Sequence, residues 1–456
     1  MGKPLARCLI VVALTIACAL AAATPANAKR HFLHATFTAR GSAEQVYILG
    51  TPGRAPLTLV DRHGVHIASK RADSLGGTLF RNVPPGRGYR VREATARGTM
   101  QSPRLRVLSN RSAPPSTGIY NQPIPISRTL GSDYNYLTTR DGTKLAIDVR
   151  LPSGRPPYPT LFEYAGYGYA DPSGAQSGIS QIATLLGFAV VDVNVRGTGC
   201  SGGAFDYFER LQSLDGYDVI ETVARQPWVL HHEVGMLGIS NGGISQLFVA
   251  ATAPPHLAAI TPLSVIDNTA STLYPGGSLN TGFAVHWAME RAHDAQPASA
   301  TTGQPWAFTR IQQGDQICRA NQALHGEAAN LIAKVYANRF YNPSVANPLA
   351  PVTFVNKIKV PVFLACQWTD EQTGGDCPAL ASQFTGTRHK WLTFTNGVHS
   401  DSLDPTTFNR WYDFLELYVA QRAPALSASQ RALAPVIYQA VLGIPGVTLP
   451  PDPIQG

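Results

Sequence analysis

Charge is scarce in this chain: Asp, Glu, Lys and Arg together make up 14% of its 456 residues. After the first thirty residues no apolar run approaches the roughly 20 residues that a bilayer span requires. There are no internal repeats and no low-complexity tracts, which excludes repeat architectures and biased linkers. Nucleic-acid recognition motifs are missing, so a net charge of +8 does not read as DNA or RNA binding. Cysteines number six, and their spacings suit no zinc site. No metal or organic cofactor is implied.

The cysteines that are present take their meaning from the N-terminus. Residues 1–28 begin with Lys3 and Arg7, continue through an apolar run from Cys8 to Ala23, and end in Thr24-Pro-Ala-Asn-Ala28. This is the pattern of a secretory signal peptide with an A-x-A-like cleavage site, so the expected location is secreted or cell-envelope associated. Its removal leaves Cys200, Cys318, Cys366 and Cys377. In an oxidising compartment four cysteines permit two disulfides in three pairings. Cys366 and Cys377 bracket a short acidic loop, which favours that pair and hence Cys200–Cys318.

Charge divides the mature chain. Residues 29–126 hold 15 Lys and Arg against 4 Asp and Glu, a net of +11, whereas residues 127–456 hold 20 against 25, a net of −5. The basic segment can contact an anionic surface, either cell-wall polymer or lipid head groups. It also reads as β: Val46–Leu49, Leu57–Val60 and Tyr89–Val91 are short β-rich runs separated by turns such as Pro84-Pro-Gly-Arg-Gly88. A small all-β, sandwich-like domain over 29–117 is expected, with 109–117 as linker. Residues 118–456 instead alternate strand-like and helix-like stretches, entered by a hairpin at Asp141-Gly142. That alternation predicts an α/β sheet covered on both faces.

Within that region Gly238-Ile-Ser240-Asn-Gly242 is a G-x-S-x-G pentapeptide between a strand-like Val234–Leu237 and a helix-like stretch from Gly243. In this context the serine of a sharp strand–turn–helix elbow is a nucleophile. The helix N-terminus behind it offers N–H groups to a developing oxyanion. The base and the acid are expected later in the chain, in the order Ser, acid, His. Asp370, just past a strand, and His399, past the last strand, occupy those positions. Glu371 and Asp376 compete as acids and His389 as the base.

Further motifs accompany the elbow: Arg140-Asp-Gly-Thr-Lys-Leu-Ala-Ile-Asp-Val-Arg-Leu-Pro152, Val195-Arg-Gly-Thr-Gly-Cys-Ser-Gly-Gly203, Asp215-Gly-Tyr-Asp218 through Gln226-Pro-Trp228, and Pro254-Pro-His-Leu-Ala-Ala-Ile260. With them the chain resembles the X-prolyl dipeptidyl-peptidase / cocaine-esterase-like family of α/β-hydrolases. The resemblance implies an α/β-hydrolase fold and an oxyanion hole formed by the Asn241 amide and a tyrosine hydroxyl. Tyr167 is the best-placed phenol, with Tyr164 and Tyr169 as rivals. The chain departs from the family in having Asn241 where Tyr is usual, in the basic β segment at its start, and in carrying 57 residues after His399, too few for the family's jelly-roll.

Ser240 and Asp370 are 130 residues apart, more than one strand–helix unit needs, so residues of about 265–350 read as a helical cap insertion. Residues 318–336 read as one helix of it. Phe283, Trp287, Trp306 and Tyr336 are candidates to line an apolar acyl or prolyl pocket. The expected function is a secreted serine hydrolase that cleaves an amide or ester of a small peptide or ester substrate through an acyl-enzyme, dipeptidyl-peptidase-like. A carboxylesterase or acylase of the same fold, and a non-catalytic cell-wall binding or scaffold protein, are the alternatives.

Overall fold

The computed structural model describes residues 31–127, 132–174, 177–450 and 454. The expected signal peptide lies outside the described residues. Among the described residues, no helix is long and apolar enough to cross a membrane.

Eight strands form the larger sheet: β1 (Ser132–Thr138), β2 (Lys144–Arg150), β3 (Tyr158–Ala165), β4 (Ala189–Asn194), β5 (Val229–Met236), β6 (Leu257–Ile260), β7 (Val362–Gln367) and β8 (Lys390–Thr395). Their spatial order is β1-β2-β4-β3-β5-β6-β7-β8. The first two joins are antiparallel and the rest parallel. Every residue of β3 and β4 is buried, the signature of parallel strands covered on both faces. Helices α1 (Gly178–Leu185), α2 (Arg210–Val223) and α3 (Asn241–Ala250) supply that cover. Helix α3 is buried along its whole length. From β4 onward the strands run parallel, so the carboxyl ends of β3, β5, β7 and β8 deliver their loops to one rim.

Residues 31–107 form two further sheets. One has six strands around Gly86–Thr95, the other three around Val46–Leu49. Val46, Ile48 and Phe80 of the smaller sheet and Leu57, Leu59 and Val91 of the larger pack into one apolar cluster. This sandwich docks on the α/β region through Ser42, whose hydroxyl donates to Asp141 Oδ2 at 2.6 Å, and Tyr47, whose hydroxyl donates to the Asp141 carbonyl at 2.8 Å. Asp141 also faces Arg196 at 3.1 Å, and Arg196 holds Asp215 by two bonds of 2.7 Å. All three are buried. Burial raises the Asp141 carboxyl, but Arg196 and the Ser42 and Thr143 bonds outweigh it and hold it at about 2.

Between β6 and β7 lie α4 (Thr269–Leu273), α5 (Ala284–Asp294), α6 (Pro305–Gln312), α7 (Gln316–Asn321) and α8 (Leu331–Ala337). The single helix expected over 318–336 is broken: a 3-10 turn spans Gln322–Glu327, and Asn330 caps a fresh start at α8. The sandwich packs against the interruption. Lys70 pairs with Glu327, Arg81 donates to the Glu327 carbonyl, and a Cβ on Gly326 would come within 2.5 Å of Asp73 Oδ2. Two disulfides form, Cys200–Cys318 and Cys366–Cys377, the expected pairs. The first ties α7 to the loop after β4 across 118 residues, a closure worth about 4–5 kcal/mol in the chain-entropy account.

Removing the Arg196 guanidinium leaves two buried carboxylates without their partner. Arg196→Met is expected to lower unfolding free energy by about 3–5 kcal/mol, read by urea denaturation at pH 7. A loss below about 1 kcal/mol, the value of a surface pair, would show that the network is not buried as described.

Candidate active site

Ser240 sits at φ 58° and ψ −124°, a conformation that costs of order 1–3 kcal/mol and persists only where its surroundings enforce it. Here the enforcement is steric. A Cβ on Gly238 (φ 146°) would lie 2.7 Å from the Gly242 carbonyl carbon, and one on Gly243 would lie 2.7 Å from the Leu263 carbonyl oxygen. At Gly242 the nearest atom is Glu163 Oε1 at 3.4 Å. The glycine after the pentapeptide is therefore more constrained than the motif's own second glycine. The Ser240 N–H donates to the Leu263 carbonyl at 2.9 Å, which fastens the turn to the chain leaving β6.

Asn241 opens α3, and first-turn amides have no intrahelical acceptor. Its N–H is thus free to face the rim. Its Oδ1 accepts the Gly166 N–H at 3.2 Å, which holds the loop after β3 against the elbow. That loop carries the tyrosines. The Tyr167 hydroxyl accepts the Trp287 indole N–H at 2.9 Å, and its ring lies 4.5 Å under the Arg291 guanidinium. The Tyr167 proton remains available for donation. Tyr164 turns into the core and donates to the Gln212 carbonyl at 3.0 Å. Tyr169 is buried beside Glu163.

Asp370 follows β7 and His399 follows β8. His399 Nδ1 lies 2.8 and 3.0 Å from the two Asp370 oxygens, leaving Nε2 as the ring nitrogen available for chemistry. The carboxylate also accepts the Gln372 and Thr373 N–H groups at 2.8 Å each and the Thr373 hydroxyl at 2.6 Å. Burial raises the Asp370 carboxyl, but His399 and Thr373 outweigh it and leave it below its ordinary value. The group is charged at neutral pH. Among the rivals, Glu371 instead accepts the His399 backbone N–H at 2.9 Å. His389 precedes β8, at the opposite end of the strand, beside Tyr418. Asp376 adjoins the Cys377 end of the disulfide. No hydrogen bond joins Ser240 to His399; Ser264, next to the Leu263 that accepts the Ser240 N–H, places its hydroxyl oxygen 3.0 Å from the His399 carbonyl oxygen and 2.6 Å from the Gln367 side chain.

Ser240, Asn241, Gln372 and Thr373 open on one cavity of about 600 Å³, closed by Ile244, Ile266, Leu273 and, from the cap, Phe283, Trp287 and Val335. Of the four aromatics singled out in the sequence, Phe283 and Trp287 line it. Trp306 instead packs on Tyr134 and Gly168, and Tyr336 is 52% exposed. Sequence reasoning also missed Ser264, Thr373 and the buried pair Glu163 and Asp192. Ser180 Oγ lies 3.0 Å from Glu163 and 2.5 Å from Asp192. One hydroxyl carries one proton, so a second proton must reside on the pair; burial and mutual repulsion push the Glu163 carboxyl well up. Only a sheet register, invisible in a linear motif, reveals this pair (Glu163 opposite Asp192).

An elbow serine, an Asp–His pair on later loops and an eight-stranded, mostly parallel sheet are the arrangement of the α/β-hydrolase fold. A family model described as X-Pro dipeptidyl-peptidase (S15 family) matches residues 141–401, more than half of the chain, and the chain belongs to that family. A putative serine esterase of Mycobacterium bovis is 30% identical over 174 residues, covering 33% of this chain and 27% of that protein. The cocaine esterase of a Rhodococcus species is 29% identical over 172 residues, 35% of this chain and 30% of that protein. The matched stretch thus spans less than a third of either relative. A CocE/NonD family hydrolase from Staphylococcus aureus superposes with a TM-score of 0.50 at 19% identity, over 67% of this chain and 57% of that one, which shows the shared fold.

Two outcomes are expected. Gly243→Ala displaces the elbow and lowers kcat/KM at least about 100-fold, whereas Gly242→Ala stays within about ten-fold of wild type on the same criterion; equal losses would contradict the packing described. The lowered Asp370 carboxyl stabilises the fold above its unfolded value of 3.8, and this is lost as pH falls through the folded value. Asp370→Asn should therefore melt below wild type at pH 7, with the gap closing as the pH falls below 3.8. A gap independent of pH in thermal melts would refute the assignment.

Proposed function

We propose that the protein is an exported hydrolase of esters whose acid is apolar. Ser240 Oγ attacks the ester carbonyl carbon and its proton passes to His399 Nε2. The Asn241 N–H and the Tyr167 hydroxyl stabilise the oxyanion. The imidazolium returns the proton to the departing alkoxide, and water then releases the acid from the acyl-serine by the same route. Asp370 fixes the ring through Nδ1 and stabilises its charged form. Nucleophile–base bonds are commonly long before substrate is bound, which accommodates the open Ser240–His399 approach.

One observation carries the preference for esters: the cavity that Ser240 faces has no Asp, Glu, Lys, Arg or His among its lining residues. A dipeptidyl-peptidase has to hold the free α-amine of its substrate, and a buried ammonium without a carboxylate is costly. An apolar acyl group among Phe283, Trp287, Ile244 and Leu273 gains burial instead. The second reading, an X-Pro dipeptidyl-peptidase, is supported by the family. Export is supported by the leader pattern and by two disulfides, which persist in oxidising compartments.

A fluorophosphonate probe is expected to label wild type and not Ser240→Ala. With enzyme not exposed to the probe, kcat/KM for a 4-nitrophenyl butyrate is expected to exceed that for an Ala-Pro-4-nitroanilide by about 100-fold or more, about 2.7 kcal/mol of transition-state preference. The reverse ranking would establish the peptidase reading, and no labelling of folded protein would sink both.

A further inference from the structure

On the sandwich, far along the chain from the catalytic loops, a cleft of about 950 Å³ is lined by Arg87, Arg106, Arg111 and Arg140, between Pro85 and Pro114-Pro115. None of its lining residues is acidic, and none lines the Ser240 cavity. Arg87 and Arg106 are exposed and directly opposed across two antiparallel strands, Gly86–Thr95 and Leu105–Val107. Like charges in that position repel and destabilise a sheet. Arg140 is neutralised in place: Asp218 takes its Nη2 at 2.8 Å and its Nε at 3.0 Å, and its Nη1 donates to the Arg111 carbonyl. Among the described residues, the side chains of Arg87, Arg106 and Arg111 make no ion pair or hydrogen bond. Three arginines thus line one concavity that has no acidic residue in its lining.

We propose that this cleft binds a phosphate-bearing polymer. Guanidinium forks match phosphate oxygens in pairs, and a ligand anion between Arg87 and Arg106 replaces their repulsion by two attractions. Concavity favours a polymer strand entering the cleft over a flat membrane. A bilayer surface is met by protruding cations, and here the arginines line walls stiffened by prolines. Binding tethers the hydrolase without entering its chemistry, because the two sites share no lining residue.

The test uses fluorescently labelled inorganic polyphosphate and the full chain, read by polarisation across a salt series. Wild type is expected to bind, and Arg87→Gln/Arg106→Gln to bind about ten-fold or more weakly, with a salt slope shallower by roughly two counterions. A control of equal charge, Arg71→Gln/Arg97→Gln at the other end of the same sheet, is expected to stay within about two-fold of wild type on the same counterion basis. Both variants should hydrolyse a soluble ester as wild type does, which verifies folding. Equal weakening by the two double variants would overturn the site in favour of diffuse charge. Absence of polyphosphate binding by wild type, or binding of phosphatidylglycerol vesicles through Arg87 and Arg106 in its place, would overturn the ligand.

Discussion

The two residues Leu263 and Ser264 hold the catalytic rim together. Leu263 accepts the Ser240 N–H and donates its own N–H to the Gly238 carbonyl at 3.3 Å, so both sides of the strained turn are clamped. Ser264 then bonds the Ala365 carbonyl at 2.9 Å through its N–H, and its hydroxyl oxygen lies within hydrogen-bond distance of both the Gln367 side chain and the His399 carbonyl. The chain leaving β6 is therefore fastened to the nucleophile turn on one side and to β7 and the histidine loop on the other. A strained φ/ψ is sustained only when it is over-determined. Three backbone bonds and a close-packed Gly243 supply that excess of constraint.

The acid loop is held in a different way. The Cys366–Cys377 disulfide closes it over 11 residues, and the Asp370 carboxylate organises the interior by accepting two N–H groups, a hydroxyl and the imidazole. Charge-assisted bonds of this kind are the strong ones. They fix His399 Nδ1 while Glu371 fixes the same residue's main chain. The histidine is thus restrained at its ring, N–H and carbonyl, and the remaining freedom lies in the approach of Nε2 to Ser240. The cap lies over that approach, tied by Cys200–Cys318 and by the Trp287–Tyr167 bond. Trp287 therefore both lines the cavity that Ser240 faces and holds Tyr167.

What was legible in the sequence was local. The elbow announces itself because its glycines, serine and flanking strand and helix are contiguous, and the hairpin at Asp141-Gly142 likewise. The positions of Asp370 and His399 followed from chain order relative to strands. Ser264 was not legible, since a serine after a strand has no pattern until β6, β7 and the histidine loop are adjacent. The broken helix at 322–330 was not legible either: its periodicity is helical, and the sandwich that contacts Gly326 and Glu327 at the interruption lies more than 200 residues earlier in the chain. Trp306 and Tyr336 failed as pocket residues for a related reason. Aromatic content marks a segment as cap but does not say which face of each short helix turns inward.

The division of charge between the two regions now has a structural consequence. A net of +11 facing a net of −5 suggests that the sandwich is held to the hydrolase by ion pairs, yet among the described residues a single one, Lys70–Glu327, crosses between them. The junction rests instead on hydroxyl bonds to Asp141, whose charge is already met by Arg196, and on apolar contacts of Tyr47 and Leu79 with Ala204 and Leu324. Surface ion pairs add little in water, so nothing is lost by this arrangement. Arg87 and Arg106 of the sandwich take no part in the joint and line an outward-facing cleft.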